Sequence, residues 1–240
     1  MSIFLDIRKI HIEISSKCVL KCPRCPRTEL KPATINKQID LDVFSRAFTP
    51  RLLKQIQILT FCGDIGDAIY NTDLLGIVKY IKEHSTTSIH IITNGSYKSA
   101  EWWTELGTVL TVNDKVTFSV DGWDNASNNI YRINSDWESI VGGATALRKS
   151  SDCYMKWSSI YFNFNENKMD RIRDIATNIG FNEFEMVKSS KFDFQYKVND
   201  IDSLKPSDVN VASSVVILLI ELVFRIFQVF TPSISFSIRA

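Results

Sequence analysis

The stretch KIHIEISSKCVLKCPRC, residues 9–25, joins a strand pattern to a group of cysteines. Its first part, Lys9–Ser15, alternates apolar and polar residues, which is the period-two pattern of a β-strand. Cysteines follow at once, at positions 18, 22 and 25. The chain has five cysteines, and three of them fall within these last eight residues of the stretch, so this group is the main functional signal in the sequence.

The alternation of strands and helices continues to about residue 187. Further strands are predicted at 55–61, 88–93, 115–120, 155–164 and 183–187, and helices at 40–53, 72–84, 99–110, 136–149 and 167–179. Strands that alternate with helices of this length indicate parallel crossover units. About six such units predict an α/β fold, a partial (β/α)6 TIM-like barrel, with an open doubly wound sheet as the alternative. Both architectures bind ligands at the carboxyl ends of their strands.

The pattern divides the chain into a core at 1–190, a polar linker at 191–210 and an apolar tail at 211–240. The run Val211–Phe230 is long enough to span a bilayer as a helix. Glu221 and Arg225 lie near its middle, where a charge costs about 2.5–3.5 kcal/mol on insertion scales. We therefore favour a helix packed over the open side of the barrel, and a membrane anchor or a non-native terminus are the alternatives.

The composition gives no electrostatic reason to expect a nucleic-acid partner. The 240 residues include 28 Lys and Arg against 27 Asp and Glu, for a formal net charge of +1. Asp6, Arg8 and Lys9 interrupt the beginning of the chain before an apolar run forms, so no signal peptide is predicted and a cytoplasmic location is expected. In that reducing compartment, clustered cysteines indicate a metal or catalysis more often than disulfides.

The cysteine spacing carries a specific chemistry. Three thiolates on one loop can ligate three irons of a cubane cluster, which leaves the fourth iron open. A structural zinc site needs four protein ligands, so a zinc knuckle with His11 or His84 as the distant fourth ligand is the alternative. The spacing CxxxCxxC, directly after the first strand of a βα array, resembles the radical SAM superfamily. The resemblance extends from about Ile10 to Val187.

The resemblance implies a [4Fe–4S] cluster held by Cys18, Cys22 and Cys25, whose open iron binds S-adenosylmethionine. In the family, one-electron reduction cleaves this cofactor to methionine and a 5′-deoxyadenosyl radical, which abstracts hydrogen from the substrate. The implied partners are a peptide or small-molecule substrate and an electron donor such as flavodoxin or ferredoxin. A truncated, catalytically inactive metal-binding member is the alternative. Because no cysteine follows Cys153, we expect a single cluster.

The later strand ends resemble the family's cofactor contacts. Gly66 and Asp67 match the Gly-Glu-Pro loop that receives the ammonium group of the cofactor, with Asp in place of Glu. Thr93-Asn94-Gly95 matches a sequence that ends the third strand in many members. Ser119 and Asp121 match the SxDG end of the fourth strand, and are expected to bind the ribose or the amino acid part of the cofactor.

Two further contacts are implied. Arg132 is expected to pair with the cofactor's carboxylate or with a substrate acid, and a surface arginine is the alternative. Asn165 is expected near the adenosine, with Asn163 as its rival. Around the cysteines, the basic residues Lys17, Lys21, Arg24 and Arg27 are expected to raise the reduction potential of the cluster, or to form a docking patch for an acidic electron donor.

Overall fold

Six parallel strands form one sheet in the computed structural model, which describes residues 7–30, 36–188 and 202–207. The strands are β1 (Lys9–Ile12), β2 (Ile58–Phe61), β3 (Ser88–Thr93), β4 (Lys115–Ser119), β5 (Tyr154–Ile160) and β6 (Glu183–Val187). They lie in sequence order, and each pairs in parallel with the next. A doubly wound sheet would change direction at a switch point. The winding is therefore that of an unclosed TIM-like barrel, which confirms the predicted α/β partial barrel.

Helices connect the strands. They are α1 (Pro26–Leu30), α2 (Leu41–Ala47), α3 (Pro50–Leu53), α4 (Leu74–His84), α5 (Ala100–Val109), α6 (Asn125–Asn128), α7 (Trp137–Ser150) and α8 (Met169–Ile179). Capping side chains fix several of their beginnings. Ser99, predicted as an N-cap, accepts the amide of Trp102 at 3.3 Å, and Asp136 accepts that of Ser139 at 3.3 Å.

The sheet has one apolar face and one polar face. Leu59, Ile91 and Phe118 on the first face are fully buried. Helices cover this face, as the ring of Trp103 in α5 shows by packing on Phe118 at 5.0 Å between centroids. Most residues on the opposite face are polar and partly buried, as Thr117 is, although Ile58 and Ile92 also lie there. The core thus lies between sheet and helices, and the inner face of the partial barrel is polar.

The helix predicted at 40–53 is wrong as a single element, because the chain forms two short helices there. α2 ends at Ala47, and Thr49 begins α3 by accepting the amide of Leu52 at 3.4 Å. Pro50 is the first residue of α3. Proline has no amide hydrogen and disfavours helical backbone in the preceding residue, so a continuous helix cannot pass position 49.

The strand predicted at 155–164 is also too long, because β5 ends at Ile160. The side chain of Asn165 folds back on the residues that precede it. Its Oδ1 accepts the amide of Phe162 at 2.8 Å, and its Nδ2 donates to the carbonyl of Ile160 at 2.8 Å. These bonds hold a turn after β5. In an extended strand, the amide of Phe162 and the carbonyl of Ile160 would both lie too far from the side chain of Asn165 to bond to it.

The predicted linker and tail lie mostly outside the described residues. Of the linker, the structure describes 202–207, where the carbonyl of Leu204 accepts the amide of Asn163 at 3.0 Å. The tail at 211–240, with its predicted packing helix or membrane anchor, is outside the described part. Within that part, no helix combines the length and the apolar character needed to cross a bilayer.

Candidate cofactor site

The cysteine loop crosses the carboxyl edge of the sheet after β1. Cys18, Cys22 and Cys25 are all partly exposed, and none of the three forms a disulfide. The carbonyl of Cys25 accepts the amides of Thr28 at 2.8 Å and Glu29 at 2.9 Å, so this cysteine stands where α1 begins. The three thiols are therefore held on a short, backbone-bonded loop at the end of the barrel where ligands bind.

Neighbouring loops contact two of the thiols. The Sγ of Cys18 lies 3.7 Å from Nδ2 of Asn94, and the Sγ of Cys25 lies 3.8 Å from the carbonyl oxygen of Asp64. Burial raises the pKa of Cys18 to about 12, and the carboxylate of Asp67 adds to this effect. A bound metal ion or cluster would favour the thiolate form of this cysteine.

The three thiols suit a cluster by their number and their chemistry. Within the described residues, no three Cys, His, Asp or Glu side chains are gathered as a site for a single metal ion. A cubane takes one thiolate on each of several irons, so its ligands stand farther apart than those of one ion. By ligand number and type, three cysteines on one loop would fit a cubane in which one iron has no protein ligand.

The loop after β2 is fixed to the end of β1 by a carboxylate. Oε1 of Glu13 accepts the amide of Ile65 at 2.9 Å and that of Gly66 at 2.5 Å. Burial raises the pKa of Glu13, and the two amide bonds partly offset this. A Cβ on Gly66 would lie 1.9 Å from the carbonyl oxygen of Ser15, so only glycine allows the loop to approach β1 so closely. Gly66 therefore lies beside the cysteine loop, as a cofactor contact there requires.

Asp67 and Asn94 form the centre of the site. Oδ2 of Asp67 accepts three bonds, from Thr93 Oγ1 at 3.0 Å, Asn94 N at 2.7 Å and Asn94 Nδ2 at 2.6 Å. Within the described part of the chain, Oδ1 accepts only the amide of Ile69, at 3.2 Å. Burial raises the pKa of Asp67 to about 6, and the hydrogen bonds from Asn94, Ile69 and Thr93 oppose this rise. The structure thus brings Asp67 and Asn94 together beside Cys18, and Oδ1 retains an acceptor position.

Asp121 and Arg132 form an ion pair at the end of β4. Nη2 of Arg132 donates to Oδ1 of Asp121 at 3.3 Å. Nε of Arg132 lies 2.8 Å from Oδ2 of Asp121, but the angle between them does not allow a hydrogen bond. Asp121 Oδ1 also accepts the amide of Ile160 at 2.7 Å. Asp121 is fully buried, and the side chain of Arg132 is 13% exposed. The pair joins the ends of β4 and β5, a role that the sequence did not predict for either residue.

Asn165 and Ser119 differ in exposure. Asn165 is fully buried, and its Nδ2 also donates to the carbonyl of Asp121 at 2.9 Å. Its side-chain amide thus bonds to the backbone at the ends of β4 and β5. Asn163, its rival in the sequence prediction, is exposed and bonds to the carbonyl of Ser203. Ser119 is partly exposed on the polar face and pairs in register with Ser158 of β5.

Most of the basic residues near the cysteines are bound to other groups. Arg24 is buried and lies 3.0 Å from Oε1 of Glu29. Lys17 donates to Gln38 Oε1 at 2.8 Å, and Arg27 donates to Asn36 Oδ1 at 2.8 Å. Lys21 is exposed. Lys17 and Arg27 are partly exposed, and Lys21 is the most exposed of the four, so a docking patch for an electron donor stays a prediction.

The sequence interpretation missed two residues that shape the site. Glu13 has a visible signal, since it is an acidic residue in the strand pattern five positions before Cys18. Asn128 has none beyond its polarity. Its Oδ1 accepts the amides of Asp121 at 2.9 Å and Gly122 at 3.1 Å. Both residues hold backbone in place at the strand ends that carry the site.

Comparison with known proteins identifies the fold. No protein-family model and no curated protein matches the chain. Among solved structures, Streptococcus suis SuiB bound to the precursor peptide SuiA is similar with a TM-score of 0.61 and 14% identity, over 78% of this chain and 40% of SuiB. Native anSMEcpe with bound AdoMet matches with a TM-score of 0.59 and 15% identity, over 76% of this chain and 51% of that chain. Methylornithine synthase (PylB) matches with a TM-score of 0.56 and 12% identity, over 76% of this chain and 53% of PylB.

These three structures are of radical SAM enzymes, and this chain has a radical SAM-like core fold. The chain spans between 40% and 53% of their lengths. At identities of 12–15%, the likeness concerns the fold.

Proposed function

We propose that this protein is a radical SAM enzyme whose [4Fe–4S] cluster is held by Cys18, Cys22 and Cys25. The observation that carries the proposal is the position of these thiols. They lie on one loop at the carboxyl end of β1, beside Asp67 and Asn94 of the next two strand ends, in a radical SAM-like core. When bound, the cluster and S-adenosylmethionine would supply a one-electron reductive cleavage that yields a 5′-deoxyadenosyl radical.

The chain's own residues have two tasks toward the cofactor. Gly66, Asp67, Asn94 and Ser119 are the proposed contacts, since they lie at neighbouring strand ends close to the thiols or on the open face. The free acceptor position on Asp67 Oδ1 suits a donor such as an ammonium group. Because a carboxylate bond to a charged donor is stronger than one to a neutral donor, this contact would orient the cofactor's amino acid part.

Asp121, Arg132 and Asn165 contribute in a different way. Their side chains are bonded to one another or to backbone at the ends of β4 and β5. We propose that they act as positioning residues that hold the strand ends beneath the cofactor. For Arg132, direct contact with a carboxylate of the cofactor or of the substrate stays a further prediction. The remaining exposure of the Arg132 side chain would allow it to reach a carboxylate only at its edge.

The proposed substrate is a peptide or a small molecule that enters from the polar inner face of the barrel. Partly exposed polar residues of β3, β4 and β5 line this face, among them His90, Thr117 and Lys156. SuiB was solved with a precursor peptide, and PylB is a methylornithine synthase, so cores of this fold accept both classes. We propose a cytoplasmic enzyme that takes its electron from a donor such as flavodoxin or ferredoxin.

Release of 5′-deoxyadenosine tests the proposal. The protein would be reconstituted anaerobically with iron and sulfide, then incubated with S-adenosylmethionine and dithionite. The wild type and a Cys153→Ala control, altered at a fully buried thiol in another part of the sheet, should release the nucleoside. Cys22→Ala should not. Zinc binding without cleavage would contradict the proposal and support a catalytically inactive metal-binding protein.

A further inference from the structure

The turn that precedes α7 is bonded to the cysteine loop. The amide of Lys21 donates to the carbonyl of Ile133 at 3.0 Å, and Nδ2 of Asn134 donates to the carbonyl of Val19 at 2.9 Å. Val19 and Lys21 both lie between Cys18 and Cys22 in the chain. The turn therefore packs directly against the segment that positions the first two thiols.

Tyr131 is the buried aromatic residue of this turn. The residue is 1% exposed, and its ring packs on Phe162 with 4.5 Å between centroids. Its hydroxyl is buried and has no hydrogen-bond partner among the described residues. A buried hydroxyl without a partner is unfavourable, so native structures seldom leave one unless a group outside the protein receives it.

The surroundings of this hydroxyl indicate where its partner lies. Burial raises the pKa of Tyr131, negative charge on Cys22 adds to this rise, and the guanidinium of Arg132 opposes it. The turn that carries Tyr131 is bonded to the cysteine loop at Val19 and Lys21, which places this turn beside the segment that joins Cys18 to Cys22. A phenol hydroxyl can donate a hydrogen bond, and a thiolate or sulfide sulfur can accept one.

We propose that Tyr131 donates a hydrogen bond to a sulfur of the cluster, either a ligating thiolate or a sulfide, and thereby raises the cluster's reduction potential. The inference rests on the proposed function, because it requires a cluster on Cys18, Cys22 and Cys25. Reduction adds negative charge to the cluster, and a donor that points at its sulfurs stabilises the reduced state more than the oxidised one. Tyr131 thus sets the reduction potential at which the cluster accepts the electron that the reaction needs.

The test compares Tyr131→Phe with the wild type by redox titration of the reconstituted cluster, followed by electron paramagnetic resonance. Phenylalanine keeps the ring against Phe162 and removes only the hydroxyl. Tyr80→Phe is the matched control, since its hydroxyl donates to the carbonyl of Ser45 in α2 at 3.4 Å and to that of Phe48, directly after α2, at 3.1 Å. With equal iron content, Tyr131→Phe should lower the equilibrium constant for reduction about tenfold, a shift of about 59 mV to more negative potential for one electron.

A second measurement detects the bond itself. In deuterated buffer, pulsed electron–nuclear double resonance of the reduced wild-type cluster should show an exchangeable deuteron that is absent in Tyr131→Phe and present in Tyr80→Phe. Equal potentials and equal deuteron signals in all three proteins would overturn the role of Tyr131 and leave the proposed function intact. A wild-type chain that binds no cluster would overturn both.

Discussion

Replacement of Glu13 by alanine should loosen the loop that carries Gly66 and Asp67. Oε1 of Glu13 is the acceptor for two amides, those of Ile65 and Gly66. Each amide left without an acceptor costs about 1–3 kcal/mol. Because both residues are partly exposed, water can replace some of this loss, and we expect Glu13→Ala to lower the free energy of unfolding by about 2–3 kcal/mol.

Glutamine at position 13 should behave differently. Both amides donate to one oxygen, and the carbonyl oxygen of glutamine can accept both bonds without a charge. Burial raises the pKa of Glu13 above its usual 4.5, so the folded protein binds this proton more tightly than the unfolded chain. The resulting stabilisation is complete below pH 4.5 and is lost as the pH rises through the folded-state pKa. Glu13→Gln should therefore gain stability relative to the wild type over that interval.

Urea unfolding of the metal-free protein measures the global effect, and hydrogen exchange of residues 62–67 measures the local one. A local loss of about 2 kcal/mol corresponds to roughly 30-fold faster exchange. Glu83→Ala, on the exposed side of α4, is the matched control and should change neither quantity. Unaltered stability and exchange in Glu13→Ala would refute the reasoning that this carboxylate holds the loop.

Two other substitutions test the packing of the strand ends. Gly66→Ala should destabilise the protein by about 3 kcal/mol, the upper end for overpacking, since its Cβ would meet the carbonyl of Ser15. In Gly142→Ala, in α7, the new Cβ meets nothing within 4 Å, and the free energy of unfolding measured in urea should rise by about 0.5–1 kcal/mol. If both alanine variants changed the free energy of unfolding in the same direction, the close approach of Gly66 to Ser15 would be contradicted. Arg132→Leu should cost about 3–5 kcal/mol because it leaves Asp121 buried without its counter-ion. Arg46 pairs with Asp42 on the surface, and Arg46→Ala should lower the free energy of unfolding by about 0.5 kcal/mol or less. If Arg132→Leu lowered it by no more than that, the pair of Asp121 and Arg132 would not be a structural ion pair.

The sheet could be predicted because its signal is local. Alternating apolar positions and helices of regular length identify each βα unit, and the strand 88–93 was predicted with the bounds that the structure shows. The break at Pro50 also had a local signal, which the apolar spacing across 40–53 concealed. The end of β5 had none. Residues 161–165 alternate like a strand, and the bonds of Asn165 to Phe162 and Asp121 exist only in the folded chain.

The candidate site was predictable in its location and less so in its contacts. Parallel strands bring their carboxyl ends to one edge, so cysteines after β1 and Asn94 after β3 had to meet there. Which partner each side chain takes depends on distances between loops. The pairing of Asp121 with Arg132, the three bonds to Asp67 Oδ2 and the unpartnered hydroxyl of Tyr131 are long-range features that no spacing in the sequence indicates.

Metal analysis of cysteine variants tests the central claim most directly. Iron, sulfide and zinc would be measured per chain after anaerobic reconstitution, for alanine variants of each of the five cysteines. The wild type, Cys62→Ala and Cys153→Ala should bind about four iron and four sulfide per chain, and loss of Cys18, Cys22 or Cys25 should abolish this. Zinc at about one per chain, or iron binding that survives the loss of Cys22, would contradict a cubane cluster on these three thiols.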